Sequence, residues 1–229
     1  GNRAIAYGDD IKYSLFKVED ISDDSHAQKG DLLIFASDLE EAIKSECRIK
    51  SFKKIRDIED ISSLECSHPF RDSGYNFNVK LYPADYVTLD QGTGLVHIAP
   101  GHGPDDYELG IKNKIEVPET VDGDGKYFDH VPLFAGTKIF NEDGSDAEAN
   151  VAVIIELKNS KALVGKGSLR HSYPHSWRSK APVIFRNTPQ WFIGMEANEL
   201  RKKALDSIEK VKWFPDQGKK RIFSMIENR

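Results

Sequence analysis

Long apolar runs are absent from this sequence. No stretch approaches the roughly 18 consecutive apolar residues that a membrane-spanning helix needs, so no such helix is predicted. No secretory leader opens the chain, and the initiator methionine is missing, so we expect a fragment or a processed product. Cysteine is scarce: Cys47 and Cys66 are the only two, and they are too far apart for a CxxC pair. They indicate a reducing, cytoplasmic location and packing roles for both thiols.

An excess of positive charge is also missing. The net charge of −5 argues against a broad, non-specific grip on nucleic acid, although it allows a local basic patch. The sequence has no GxxxxGK[ST] phosphate loop, and Asp106 stands where the dinucleotide fingerprint that starts at Gly101 would need its third glycine. The chain has 229 residues, 39% hydrophobic and 30% charged, as expected for a soluble globular protein with a substantial core.

The hydrophobic pattern predicts many short strands and a few helices. Strands are predicted at 11–18, 32–36, 47–56, 78–90, 95–99, 162–169, 182–186 and 190–193. A capping box at 37–40 predicts a short helix, and a second box at 145–148 accompanies a helix predicted over 146–159. Two more helices are predicted at 196–209 and 218–227. This order predicts a mixed α/β fold on a curled, barrel-like sheet with surrounding short helices. A change of character near Arg186 predicts one domain over 1–186 and a C-terminal segment over 187–229.

The most unusual stretch is Gly92–Tyr107, which holds two histidines, two aspartates and four glycines. Strand alternation predicts Val96 and Ile98 on one face, with Leu95, His97 and Ala99 on the other. A bare-backbone bend is predicted at 100–103, and a helix then begins with Pro104 at its first position. This strand, bend and helix start would expose backbone N–H groups to a ligand and bring His97 and Asp106 toward one bend.

Each of these residues also has a plain structural explanation. Asp105 and Asp106 are typical partners of a helix dipole. His97 fits the pattern of a core histidine whose ring is hydrogen-bonded, and His102 fits that of an ordinary loop residue. His171 and His175 are four residues apart, but no cysteines follow at zinc spacing, so no metal site is predicted. The segment 122–125 begins like a calcium loop, lacks the later required residues, and is predicted to be a turn.

The residues resemble a known family at several points. Gly92–Tyr107 resembles the G-T-G-x-V-H-x-A-P-G-H-G-x-x-D motif of the editing domain (connective polypeptide 1) in class I isoleucyl-tRNA synthetases of bacterial type. The resemblance continues through 171–178, where Ser176 replaces a frequent cysteine, and through 181–186 and 188–192. The opening Gly1–Ile5 resembles the end of the family's first editing motif. The likeness therefore spans essentially the whole chain.

Two comparisons refine this resemblance. Valyl-type domains usually have lysine where His97 stands, and valyl- and leucyl-type domains have an A-H-D sequence near the bend, so His97, Gly101 and Gly103 favour the isoleucyl branch. The family's threonine-rich peptide lies before the residue matched by Asn2 and is not in this chain, nor are the HIGH and KMSKS signatures. We therefore expect a piece cut from a synthetase, unable by itself to activate an amino acid.

The resemblance implies an aminoacyl-ester hydrolase that removes valine from Val-tRNA(Ile), with valyl-adenylate as a second candidate substrate. It implies catalytic roles for Asp106 as the ammonium anchor and His97 as the pocket wall. The implied substrate-binding residues are Asn2, Thr93, Gly94, Ala99, Gly101 and His102. Water is expected to attack without a covalent intermediate and without a cofactor, since ATP and Mg are used by the absent catalytic domain. The implied partners are the tRNA(Ile) 3′ end and the rest of a monomeric synthetase.

Three alternatives stay open at this point. A non-catalytic module could dock the aminoacylated tRNA 3′ end, although the acidic charge and the lack of an aromatic-basic string disfavour it. A free-standing editing enzyme is disfavoured by 211–229, which resembles the polypeptide returning to the synthetase body. The valyl and leucyl branches would be separated by a panel of charged tRNAs.

Overall fold

The computed structural model describes residues 2–90, 92–168 and 172–228, and these form a mixed α/β fold, as predicted. Seven strands occur in this part of the chain: β1 (Ala4–Tyr7), β2 (Tyr13–Ile21), β3 (Leu32–Ala36), β4 (Ile49–Ile58), β5 (Glu65–Ser67), β6 (Asn78–Pro83) and β7 (Leu95–Ile98). The same part holds five α-helices: α1 (Glu40–Cys47), α2 (Pro104–Lys112), α3 (Glu148–Asn159), α4 (Leu200–Lys210) and α5 (Gln217–Glu227).

The strands belong to two sheets. The first has the order β5-β6-β1-β7, in which β1 and β6 run parallel and the other pairs are antiparallel. The second has the order β3-β2-β4 and is antiparallel throughout. Neither sheet closes on itself among the described residues, so the barrel-like curling of the sheet stays a prediction.

Aromatic residues from both sheets form the principal core. Phe16 and Phe35 are stacked, with ring centroids 4.2 Å apart and ring planes 5° apart. Tyr7 and Leu81 from the first sheet belong to the same buried cluster. Complete burial of a side chain of this size contributes about 1.5–3 kcal/mol, so this cluster holds the two sheets against each other.

A second, smaller core places helix α2 against the first sheet. Ala4 and Ala6 of β1, Ile98 of β7 and Leu109 of α2 pack together. The small alanine side chains let the helix approach the sheet closely. Gly110 lets it approach Pro100 as well, because a Cβ at Gly110 would lie 2.8 Å from Pro100 Cβ. The start of α2 is therefore fixed close to the end of β7.

The capping box predicted at 37–40 is wrong. Ser37 begins a short 3₁₀ helix, Ser37–Leu39, and makes no capping hydrogen bond. Its hydroxyl lies 2.6 Å from the Ser14 hydroxyl, which also donates to the Asp57 carboxylate at 2.6 Å. Ser37 therefore takes part in a partly buried hydrogen-bond network between strands and does not cap the helix.

The capping box predicted at 145–148 is also wrong. Helix α3 begins at Glu148, two residues later than predicted, and Ala147 precedes it without a side-chain cap. The Glu148 carboxylate instead accepts a hydrogen bond of 2.8 Å from the Lys138 N–H. Here, too, a partner distant in sequence replaces the local one.

Three of the predicted strands are not present. In the residues that the structure describes, 162–168, 182–186 and 190–193 contain no strand, and one isolated bridge joins His175 to Pro182. The apolar pattern of these segments predicted strands, but no neighbouring strand supplies a ladder of hydrogen bonds. The strand predicted at 78–90 is shorter than expected, since β6 ends at Pro83.

The chain divides into two compact units between Asn187 and Thr188. In the second unit, the two helices predicted at 196–209 and 218–227 are confirmed as α4 and α5. The Trp213 indole donates a 3.0 Å hydrogen bond to the Ile208 carbonyl and so caps α4. Assigning 1–186 to editing and 187–229 to the return toward a synthetase body stays a prediction. Across the described ranges, no helix is both long enough and apolar enough to cross a bilayer.

Candidate active site

Strand β7 is an edge strand that presents His97 to solvent. The predicted alternation is confirmed, because Leu95 packs against the principal core whereas Ile98 packs with Leu109 of α2 on the opposite face. His97 is paired with Ile5 of β1 and is exposed. Its ring makes no hydrogen bond or ion pair with any residue that the structure describes. The imidazole is therefore available to a ligand.

The bend after β7 is a tight turn that leads directly into α2. The His102 N–H donates a 2.8 Å hydrogen bond to the Ala99 carbonyl, with Pro100 at the second turn position, which its fixed φ favours. Helix α2 begins at Pro104 as predicted, with Gly103 as N-cap. Among the described residues, none accepts a hydrogen bond from the N–H groups of Gly101 and Gly103. These donors beside a helix N-terminus favour a negative or carbonyl oxygen.

The Asp106 carboxylate lies at the junction of strand, bend and helix. One of its oxygens accepts a 2.8 Å hydrogen bond from the Ala99 N–H. Ala99 is two residues beyond His97, roughly 7 Å along an extended chain. Asp106 is half-buried, whereas its neighbour Asp105 is exposed and has only the position of a dipole partner. The helix acid is therefore fixed at the end of β7, two residues beyond the strand histidine.

Asn2 lies beside the same strand end. The Arg3 N–H donates to the Ile98 carbonyl at 2.8 Å, and Ala4 pairs with Ile98 in the antiparallel ladder. Asn2 has a φ of +56°, a conformation that asparagine tolerates better than most residues. Five of the predicted site residues are thus grouped at this end of the strand: Asn2, His97, Ala99, Gly101 and Asp106.

Thr93 and Gly94 lie at the other end of β7. Gly94 precedes the strand, whereas Ala99 follows it, a separation of roughly 17 Å along an extended chain. The Gly94 carbonyl accepts a 2.7 Å hydrogen bond from the buried Tyr13 hydroxyl. A Cβ at Gly94 would lie 2.6 Å from the Ala36 Cβ, so packing requires glycine here. The structure does not group Thr93 and Gly94 with Asp106, and their role in substrate binding stays a prediction.

His102 is held through both ring nitrogens. Its Nε2 lies 2.6 Å from the Thr120 hydroxyl, and its Nδ1 lies 3.0 Å from the Phe185 carbonyl. Burial lowers the pKa of His102 below its usual 6.5, so the ring is neutral near pH 7. Nδ1–H then donates to Phe185 and Nε2 accepts from Thr120. No sequence pattern indicated these two partners, because they are 18 and 83 residues away.

Two further segments contain residues that could in principle hold a metal ion. The turn predicted at 122–125 is confirmed, since the Asp122 carboxylate accepts 2.9 Å hydrogen bonds from the N–H groups of Asp124 and Lys126. His175 Nδ1 lies 2.8 Å from the Tyr173 carbonyl, whereas His171 lies outside the described residues. Over the described ranges, no three His, Cys, Asp or Glu side chains are grouped to hold a metal ion. That the reaction needs no metal stays a prediction.

Two clefts lie elsewhere on the molecule. One, of about 320 Å³, is lined by residues that include Arg3, Phe77 and Lys80, and the other, of about 450 Å³, lies between α4 and α5. Neither is lined by His97 or Asp106. The small cavity between these two side chains, sized for a branched amino acid, stays a prediction.

Comparison with known proteins identifies the family. The family described as tRNA synthetases class I (I, L, M and V) matches residues 1–229, and the chain belongs to this family. Its relatives include the isoleucine–tRNA ligases of Pelagibacter ubique, 46% identical over 230 residues, and of Bradyrhizobium diazoefficiens, 42% identical over 253 residues. Both alignments cover 100% of this chain, and they cover 24% and 25% of those proteins. The resemblance found in the motifs is confirmed at the level of the family.

The chain spans about a quarter of the length of these relatives. Among solved structures, "The crystal structure of GlLeuRS-CP1" is similar with 16% sequence identity and a TM-score of 0.37. That match covers 72% of this chain and 62% of the other.

Proposed function

We propose that this chain is the editing domain of an isoleucyl-tRNA synthetase and hydrolyses valine wrongly esterified to tRNA(Ile). The observation that carries the proposal is the grouping at the end of β7. There the Asp106 carboxylate is fixed by the Ala99 N–H beside the free amides of Gly101 and Gly103. The exposed His97 lies on the same strand end. Valyl-adenylate is the second candidate substrate.

The chemistry of the two amino acids explains why such a site is needed. Isoleucine and valine differ by one methylene, which supports only about 1–3 kcal/mol of discrimination in a hydrophobic pocket, and this family of synthetases is the standard illustration of that limit. A second site that admits valine and excludes isoleucine multiplies the selectivity. The site needs an anchor for the α-ammonium, a wall that limits side-chain size and a placed water.

The residues of this chain can fill these roles. Asp106 accepts a charge-assisted hydrogen bond from the ammonium group, since the Ala99 N–H occupies only one side of its carboxylate. His97 borders the amino-acid side chain and limits its size. The amides of Gly101 and Gly103 contact the terminal adenosine, and Asn2 supports the substrate from the neighbouring strand.

The proposed reaction is direct attack by water on the ester carbonyl. An aminoacyl ester is already activated, and no covalent intermediate or metal is invoked. The free hydroxyl of the terminal ribose assists the attack. The partners are the tRNA(Ile) 3′ end and the remainder of the synthetase, to which 187–229 leads back, in a monomeric cytoplasmic enzyme.

Asp106→Asn tests the proposal most directly. Asparagine keeps an oxygen for the Ala99 N–H but lacks the negative charge that holds the ammonium group. In the full-length synthetase, we expect release of valine from Val-tRNA(Ile) to fall about 100-fold, because the substrate loses its orienting contact. Asp105→Asn is the matched control, since it removes an exposed carboxylate from the same helical turn.

Two results would contradict this function. Equal rates for Asp106→Asn and Asp105→Asn would remove Asp106 from the mechanism. If the wild-type synthetase bound tRNA through this domain but released no valine, the domain would be a docking module for the tRNA end.

A further inference from the structure

We propose that His102 is a positioning residue whose ring holds the bend 100–103 in place and does not itself contact the substrate. Its effect on activity rests on the function proposed above. The assembly consists of the His102 ring, the Thr120 hydroxyl and the Phe185 carbonyl, and is named the His102 clamp.

The ring has no free nitrogen for a ligand. Nε2 and the Thr120 hydroxyl are 2.6 Å apart, and Nδ1 and the Phe185 carbonyl are 3.0 Å apart. A neutral imidazole has one donor and one acceptor, and both are used here. A substrate contact through this ring would require breaking one of these bonds.

Neighbouring contacts join the same segments. The Asn187 side-chain amide donates a 2.8 Å hydrogen bond to the Val117 carbonyl. A Cβ at Gly101 would lie 3.2 Å from the Pro118 carbonyl oxygen and 3.7 Å from the Asn187 Cβ. The segments 117–120 and 185–187 therefore close against the bend, and the clamp is one of several contacts that keep them there.

The backbone of the bend explains why such a clamp is useful. The free N–H groups of Gly101 and Gly103 flank His102 on either side, and glycine backbones are intrinsically mobile. A misplacement of about 1 Å in a substrate-binding group lowers a reaction rate by about 100-fold. Holding the residue between the two glycines fixes the direction of both amides before the substrate arrives.

A double-mutant cycle on the full-length synthetase tests the clamp. His102→Ala, Thr120→Val and the double variant are compared by kcat and KM for valine release from Val-tRNA(Ile). We expect Thr120→Val to lower kcat/KM about five-fold, the loss of one partly buried hydrogen bond. The double variant should have a kcat/KM no lower than that of His102→Ala, because both changes break the same hydrogen-bonded unit.

Two further variants serve as controls. Thr120→Ser keeps the hydroxyl and should restore most of the rate, and Thr88→Val, at an exposed threonine, should leave the rate unchanged.

Hydrogen exchange without substrate gives an independent measurement. Thr120→Val should raise exchange at residues 101–103 and 185–187, whereas Thr88→Val should not. Unchanged exchange and an unchanged rate in Thr120→Val, or additive losses in the double variant, would overturn the clamp. Raised exchange in a synthetase whose wild type releases no valine would contradict the proposed function and leave the clamp standing.

Discussion

The Asp106 carboxylate accepts a hydrogen bond from the Ala99 N–H, with 2.8 Å between Oδ2 and N. This single contact joins the end of strand β7 to the first turn of α2 across the bend. The carboxylate lies in the first turn of α2, where a negative side chain complements the helix dipole, and the bond satisfies an amide that the strand ladder leaves unpaired. Asp106 therefore shapes the candidate site as well as contributing charge to it.

Comparing Asp106→Ala with Asp106→Asn separates the structural role of Asp106 from its charge. Asp106→Ala leaves the Ala99 N–H without its partner, and we expect the free energy of unfolding to fall by about 1.5–3 kcal/mol, as for other bonds to charged groups. Asp106→Asn should retain most of the stability. Urea unfolding of both variants measures the difference, and equal stability of the two would mean that the bond to Ala99 contributes little.

His97 should control the size of the amino acid that is accepted. His97 is exposed on β7, two residues before the Ala99 N–H that holds Asp106. In the proposed function it limits the space beside the ester, so we expect His97→Ala to make release of isoleucine from Ile-tRNA(Ile) measurable. Val96→Ala is the matched control, since Val96 is 39% exposed and lies on the opposite face of the strand. Discrimination equal to wild type in His97→Ala would leave His97 without a role in selectivity.

Gly94 and Gly92 provide a matched pair for packing. Both have a φ of +73°, but a Cβ at Gly94 would lie 2.6 Å from the Ala36 Cβ, whereas nothing lies within 4 Å at Gly92. Alanine at either position costs about 1–2 kcal/mol for the left-handed backbone. Gly94→Ala should cost about 1–3 kcal/mol more because the site is overpacked. Chemical denaturation checks this order, and equal losses would show that Ala36 moves freely.

His102 should make the stability of the first unit depend on pH. Burial is the main cause of its lowered pKa, and the Phe185 carbonyl and the Asp106 charge oppose the shift. The unfolded chain therefore binds a proton more readily, so this contribution is complete above about pH 6.5 and is lost as the pH falls toward the folded pKa. Unfolding free energies at pH 7.5 and 5.5 should differ less in His102→Gln than in wild type. An identical pH dependence in both would contradict the shift.

Local patterns correctly predicted the strand, the bend and the helix start that surround the candidate site. The alternation of Leu95, His97 and Ile98, the bend after Ala99 and the helix start at Pro104 are set by short-range sterics and by apolar periodicity. These rules operate over a few residues, so the sequence contains the information needed to apply them. The same holds for α4 and α5, whose apolar spacing repeats over several turns.

Contacts between distant residues decided the rest. Ser37 and Glu148 do not cap their helices as predicted but form hydrogen bonds with Ser14 and Lys138. His102 forms hydrogen bonds with Thr120 and Phe185. A buried donor or acceptor without a hydrogen-bond partner destabilises the folded chain. A side chain that can reach such a group therefore stabilises the fold more by bonding to it than by capping its own helix. The sequence by itself determined the strand, the bend, the helix and the family. Only the tertiary structure decided which polar groups meet, because that choice depends on distances that no residue spacing encodes.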